Sequence, residues 1–161
     1  MNKHNAQKVT FRTCNFNLAS HQKAFIHLIA TYMHDPMGDA PPLDEGQKQQ
    51  MISALAKHPS VLTIFVLFEG GYAGLAVAFI NYSTFKAAHY LNVHDLVIDP
   101  KFRNKKLGRL LLNYLIDLAM ERQYCKITLE VRNDNHIAQG LYRSLDFTEC
   151  QPPMLFWEKL L

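Results

Sequence analysis

The chain has 161 residues, of which 48% are hydrophobic and 19% charged, enough apolar material for the core of one ordinary domain and too much for a disordered chain. Its formal charge of +3 is mild. Much of the basic excess sits in Lys101, Arg103, Lys105, Lys106 and Arg109, a local patch that suits a phosphorylated small molecule better than duplex DNA, which meets a broader basic face.

Met1 to Lys8 is polar and has no apolar run, so no secretory signal is expected, and no stretch reaches the length of a membrane span. A cytoplasmic location is the expectation. Cys14, Cys125 and Cys150 are odd in number, widely spaced and without a metal-ligand pattern. They read as buried reduced thiols, and no metal is expected.

Val9 to Thr13 reads as a strand. Leu18 to Met33 carries Phe25, Leu28, Ile29, Tyr32 and Met33 at helical spacing, with Asn17 as its N-cap. Asp35 to Pro42, with Pro36, Gly38, Pro41 and Pro42, is a loop, and Leu43 to Lys57 a second helix with Met51, Ile52 and Leu55 on one face. Val61 to Phe68 is a strand, Glu69-Gly70-Gly71 a hairpin turn, and Tyr72 to Tyr82 the return strand. Tyr90 to Ile98 is another strand. Leu107 to Arg122 is a helix with Leu110, Leu111, Tyr114, Leu115 and Leu118 inward. Lys126 to Val131 is a strand and Asn135 to Leu145 a helix, and Phe147 to Cys150 and Met154 to Leu160 read as closing strands.

This order, β-α-α-β-β-β-α-β-α-β-β, combines a hairpin half with a β-α-β crossover. It predicts an α/β (α+β) chain with a mixed central sheet of about seven strands and helices on both faces. Residues 1–161 are expected to form a single domain, with no repeat or long linker.

Two stretches carry chemistry. Val97 to Arg109 reads as a strand, a basic turn and a helix start, the arrangement in which backbone N–H groups and the helix dipole hold a pyrophosphate. Gly108 lets the backbone come close, and Arg103, Lys105, Lys106 and Arg109 supply counter-charge. In the second, Asn135 and Tyr142 are separated by about two helical turns and share one face. Read in isolation, the first is also a solvated basic turn, and the second an N-cap and a core aromatic.

Together the two stretches resemble the cofactor half of the GNAT superfamily of acetyl-CoA-dependent N-acetyltransferases, over about Val61 to Leu160. The family signature is Arg or Gln, two residues, Gly, one residue, then Gly or Ala. Arg103-Asn104-Lys105-Lys106-Leu107-Gly108 keeps the final Gly, whereas Lys106 stands where the first signature Gly belongs and Asn104 where many members carry Gly. The second stretch matches at Asn135, Ala138 and Tyr142, with Asp146 where a closing Gly is usual.

The resemblance implies a GNAT fold with acetyl-CoA as co-substrate. Leu96, Val97 and Ile98 would pair their main chain with the pantetheine arm and supply an oxyanion donor. Arg103, Asn104, Lys105, Lys106, Leu107, Gly108 and Arg109 would hold the pyrophosphate, with Asn135, Ala138 and Tyr142 beside the cofactor arm and Tyr142 also as general acid. A thiol near pKa ~8.5 and a phenol near ~10 make that proton transfer roughly balanced. His94 stands where polyamine acetyltransferases of the family carry a Glu, and it is the leading candidate base. A strand His bonded within the sheet is the competing reading. Asp95, its neighbour, is expected on the opposite face. Glu130 and a bound water are alternative bases, and His89 and Tyr90 weaker candidates. Asp35, Asp39, Asp44 and Glu45 either rim an acceptor pocket or are solvated charges.

The activity so implied is acetyl transfer from acetyl-CoA to a primary amine of a small molecule by direct attack in a ternary complex. The alternative is a non-catalytic acyl-CoA sensor on the same fold. A nucleic-acid-binding domain using the Lys101–Arg109 patch is weaker, because Phe102 is the patch's one aromatic residue. Neither nucleic acid nor membrane is expected as a partner, and a homodimer is expected from the resemblance alone.

Overall fold

In the computed structural model the described residues are 8–161; Met1 to Gln7 of the polar N-terminal segment lie outside them. The chain divides into two compact units, one ending at Glu130 and one running from Val131 to Leu161.

The first unit is built on a sheet of five strands in the order β1-β2-β3-β4-β5. β1 (Val9–Thr13), β2 (Val61–Phe68), β3 (Gly71–Ser83) and β4 (Ala88–Ile98) are successively antiparallel, and β5 (Ile127–Leu129) runs parallel to β4. The sheet is therefore mixed, as expected, with five strands instead of seven. The β2–β3 hairpin closes through Glu69 and Gly70, both at positive φ (50° and 85°), the backbone twist that suits a two-residue hairpin.

β2 is an apolar run without alternation because both of its faces are covered. One face (Ile64, Val66, Ala76, Ala78, Leu91 and Val93) packs on α3 (Leu107–Glu121) through Leu107, Leu111 and Leu115. The other (Phe65, Leu67, Leu75, Val77 and Val97) packs on α1 (Ala19–Met33) through Phe25, Leu28 and Ile29, and on α2 (Glu45–Lys57) through Ile52. Leu110, expected inward, is 38% exposed because it lies off the Leu107–Leu111–Leu115 row of α3.

Asp44 and Gln47 form a reciprocal capping box at α2. The expected cap of α1 is corrected: Leu18 takes the N-cap position without a side-chain bond. The N–H of Asn17 instead donates to Asn15 Oδ1, and the N–H of Asn15 to the Nδ1 of buried His21.

The second unit contains α4 (His136–Arg143). Among the described residues no strand lies beyond Leu129, so the closing strands expected at Phe147–Cys150 and Met154–Leu160 are absent. Pro152 and Pro153 remove two consecutive backbone donors there, and Met154, Leu155, Phe156 and Trp157 stay exposed. The cysteines also depart from expectation: Cys14 is half-buried, and Cys125 and Cys150 are exposed.

Candidate active site

β4 is paired with β3 along most of its length but with β5 only through Leu91–Ile127, Asn92–Thr128 and Val93–Leu129. Past Val93 its other edge has no strand neighbour among the described residues. Alternate main-chain N–H and C=O groups of Leu96, Val97 and Ile98 therefore point away from β3, and of these the Ile98 carbonyl accepts from Arg103 Nε. Gly74, opposite Ile98, lets the two strands approach closely: a Cβ there would lie 2.5 Å from Ile98 Cδ1 and closer still to the Val97 carbonyl.

A bulge interrupts β4. Val77 lies opposite Asp95 and Ala78 opposite Val93, so His94 has no partner in β3. The expectation of opposite faces for His94 and Asp95 is corrected by this extra residue. Asp95 opposes Val77 of the α1/α2 core, and the His94 ring meets Phe79, packed on that same core, edge to face at 5.7 Å. His58 reaches Phe79 from α2 at 5.1 Å. Burial pushes the Asp95 carboxyl above the usual carboxylate range, and His94 partly opposes the rise. Asn92 Nδ2 donates to Thr128 Oγ1 (3.1 Å) and Glu130 Oε1 (3.4 Å), placing Glu130 just past the end of β5. His89 and Tyr90 sit near the start of β4, where His89 stacks edge-on with Tyr82 and Tyr90 lies under the Lys126 ammonium.

After β4, Asp99 is buried and caps a 3₁₀ turn (Pro100–Phe102), accepting from the Lys101 N–H at 2.9 Å and contacting His27 Nε2 at 3.1 Å. Burial opposes ionisation of Asp99, but the Lys101 N–H and His27 outweigh it and hold the carboxyl below the usual range. Arg103 donates through Nε to the Ile98 carbonyl (3.3 Å) and through a terminal nitrogen to Asp35 Oδ2 (2.7 Å). Asn104 and Lys106 both adopt left-handed backbone, φ 63° and 59°. The Lys105 ammonium lies 4.9 Å from the centre of the Phe68 ring, and Leu107 is buried. Lys106 is the N-cap of α3 and makes no side-chain cap bond, and the N-terminus of a helix presents main-chain N–H groups along its axis. That is an anion-binding end.

Of the four acidic residues expected near an acceptor rim, Asp35 is paired with Arg103, Asp44 caps α2, and Glu45 pairs with Lys48 at 2.6 Å. Asp39 lies in the loop at φ 44°. Sequence reasoning missed the Asp35–Arg103 and His27–Asp99 links and the bulge. Gly74, a glycine inside a strand, carries a readable signal of close backbone approach.

Within the second unit, Asn135 Oδ1 caps α4 by accepting from the Ala138 N–H at 3.1 Å. Tyr142 is half-buried, its ring 6.0 Å from that of Phe147, and its carbonyl accepts from the N–H groups of Leu145 and Phe147. Asp146 takes a left-handed φ of 62°. Among the cysteines, burial pushes the Cys14 thiol up to about 12, which keeps it from being a thiolate. Among the described residues, no group of three or more His, Cys, Asp or Glu side chains is placed to hold a metal, and no helix is long and apolar enough to cross a membrane.

A model of the acetyltransferase (GNAT) family matches residues 19–147, spanning parts of both units. The chain is 44% identical over 56 residues to a [ribosomal protein bS18]-alanine N-acetyltransferase of Salmonella typhimurium, covering 35% of this chain and 38% of that protein. It is 34% identical over 82 residues to a streptothricin acetyltransferase of Streptomyces lavendulae, covering 51% and 41%. The chain thus spans about two fifths of these curated relatives. The structure superposes on an aminoglycoside N-acetyltransferase solved with CoA, with a TM-score of 0.73 and 15% identity over 97% of each chain; at that identity the likeness is one of fold.

Proposed function

The chain belongs to the acetyltransferase (GNAT) family, and from that premise we propose that it transfers the acetyl group of acetyl-CoA to a primary amine of a small-molecule acceptor. The observation that carries this reading is the run from the open edge of β4 at Leu96–Ile98, through the basic turn, to the uncapped start of α3. An extended arm ending in a pyrophosphate fits such a run: main-chain groups for the amides, then N–H groups and cations for the phosphates.

The thioester supplies an activated acyl group. The residues do the rest. Leu96, Val97 and Ile98 align the arm and offer an oxyanion donor. Arg103, Asn104, Lys105, Lys106, Leu107, Gly108 and Arg109 hold the pyrophosphate, and Asn135 and Ala138 flank the arm. His94 accepts the proton of the incoming ammonium, and Tyr142 gives a proton to the departing sulfur. The amine attacks the thioester directly in a ternary complex, without an acyl-enzyme. The Asp95 carboxyl beside His94, and Glu130 held by Asn92 of the same strand, favour a cationic acceptor. Residues 1–161 are proposed to act as a single acetyltransferase domain in the cytoplasm.

The test is a thermal-shift titration with acetyl-CoA, followed by thiol release across a panel of amines. Stabilisation by acetyl-CoA with amine-dependent release supports the reading. Stabilisation without release on a broad panel favours the acyl-CoA sensor, and no stabilisation removes both.

A further inference from the structure

We propose that Asp35 is a positioning residue for the pyrophosphate turn, holding Arg103 from outside so that the backbone of residues 103–106 keeps the path that presents the start of α3. The inference rests on the acetyl-CoA reading of that turn.

The turn needs holding. Lys106 sits at left-handed φ without being glycine, a conformation that a lysine keeps only where the surroundings over-determine it, and Asn104, a residue that tolerates that region, shares it two residues earlier. On its far side, burial of Leu107 and the Lys105–Phe68 contact fix the chain. On its near side, buried Asp99 fixes the 3₁₀ turn. Between these anchors stands Arg103, whose side chain is 47% exposed and tied by the Ile98 carbonyl and Asp35.

Asp35 is built to hold it. Its side chain is 18% exposed, and its two oxygens have separate uses: Oδ2 accepts from Arg103, and Oδ1 from the Met37 N–H at 2.9 Å. Its carbonyl accepts from the N–H groups of Gly38 and Asp39, closing the loop after α1 on itself. Gly38 has no room for a side chain against the Tyr32 carbonyl. The carboxylate is thus presented by a rigid loop, unlike a surface pair whose two arms must both be ordered. A guanidinium has five donors, so the bonds to Asp35 and Ile98 orient it and leave donors for a phosphate.

Calorimetric titration of CoA into wild type, Lys106→Gly, and Asp35→Asn and Asp35→Glu each in both of those backgrounds tests this. Asp35→Asn is expected to weaken CoA about fivefold and raise KM for acetyl-CoA at unchanged kcat, with Asp35→Glu recovering part of the loss. In the Lys106→Gly background, where glycine removes one strained position, the same substitution should cost less than about twofold. Tighter or unchanged binding by Asp35→Asn overturns the proposal, as does an equal penalty in both backgrounds, which would assign the effect to charge alone. If Asp35→Asn does not fold, Asp35→Glu decides: its loss must shrink in the Lys106→Gly background. Failure of wild type to bind CoA would instead overturn the acetyl-CoA reading itself.

Discussion

His94 and Asp95 are neighbours in β4 yet face the same side of the sheet, because the bulge opposite Val77 and Ala78 inserts His94 as an unpaired residue. A carboxyl and an imidazole thereby share the face covered by α1 and α2, where the His94 ring meets Phe79. Asp95 accepts no side-chain hydrogen bond among the described residues, and burial raises its pKa. The folded protein therefore holds this proton more tightly than the unfolded chain, and stability falls as pH rises from the unfolded value near ~3.9 through the raised folded value. Asp95→Asn should raise Tm at pH 7 by on the order of a few degrees, and the gain should vanish at about pH 3, where the wild-type carboxyl is protonated in both states. The same variant should raise KM for the amine roughly tenfold. Thermal melts across pH with steady-state kinetics check both, and a Tm lowered at pH 7 would count against a strained carboxylate.

Gly74→Ala should damage the cofactor strand from behind. The new methyl would drive into the Val97 carbonyl and Ile98 Cδ1, so β4 must shift at the residues proposed to hold the pantetheine arm. A loss of about 2 kcal/mol in urea denaturation is expected, with CoA binding weakened beyond what the lost stability explains. Gly70→Ala is the control: nothing lies within 4 Å of its Cβ, and only the positive φ opposes it.

Lys106→Gly should stabilise the protein although it removes a side chain. A non-glycine residue in left-handed backbone costs roughly 1–2 kcal/mol, and glycine's greater unfolded-state freedom takes back about 0.4–1. A net gain of roughly 0.5 kcal/mol by denaturant titration is the expected outcome. Lys106→Ala, which keeps the strain, should show no gain. Equal stabilities for the two variants would locate the cost elsewhere than in φ.

The turn and its strain illustrate what was legible in the sequence. The hairpin at Glu69-Gly70, the apolar β2 run and the α3 stripe were readable because their signals are local, and so was the turn's departure from glycine at Lys106 and Asn104. The bulge at His94 was not, since no residue type in Asn92-Val93-His94-Asp95 marks an extra residue in the register. Asp35 and Arg103 are 68 residues apart, and nothing in either neighbourhood points to the other. Met154 to Leu160 has a strand-like apolar pattern, but pairing needs a partner edge and donors, and Pro152 and Pro153 remove donors just before it. Local chemistry was thus legible and non-local pairing was not, which is why the turn's residues could be named while their anchor could not.

Tyr142→Phe separates chemistry from binding. The variant keeps the ring that packs near Phe147 and loses only the hydroxyl, so stability should change by less than about 1 kcal/mol. If the phenol protonates the departing sulfur, turnover should fall about 10²-fold or more, while Kd for acetyl-CoA stays within about twofold, because binding rests on main-chain groups of β4 and the start of α3. The shape of the kcat profile against pH gives an independent reading: loss of the proton donor should remove its basic limb, whereas loss of a packing residue would lower the profile without changing its shape. Thiol release measured with saturating acetyl-CoA, where chemistry is shown to be limiting by single-turnover rates, checks the assignment. Equal turnover of variant and wild type across pH would remove Tyr142 as the acid and leave water to protonate the sulfur.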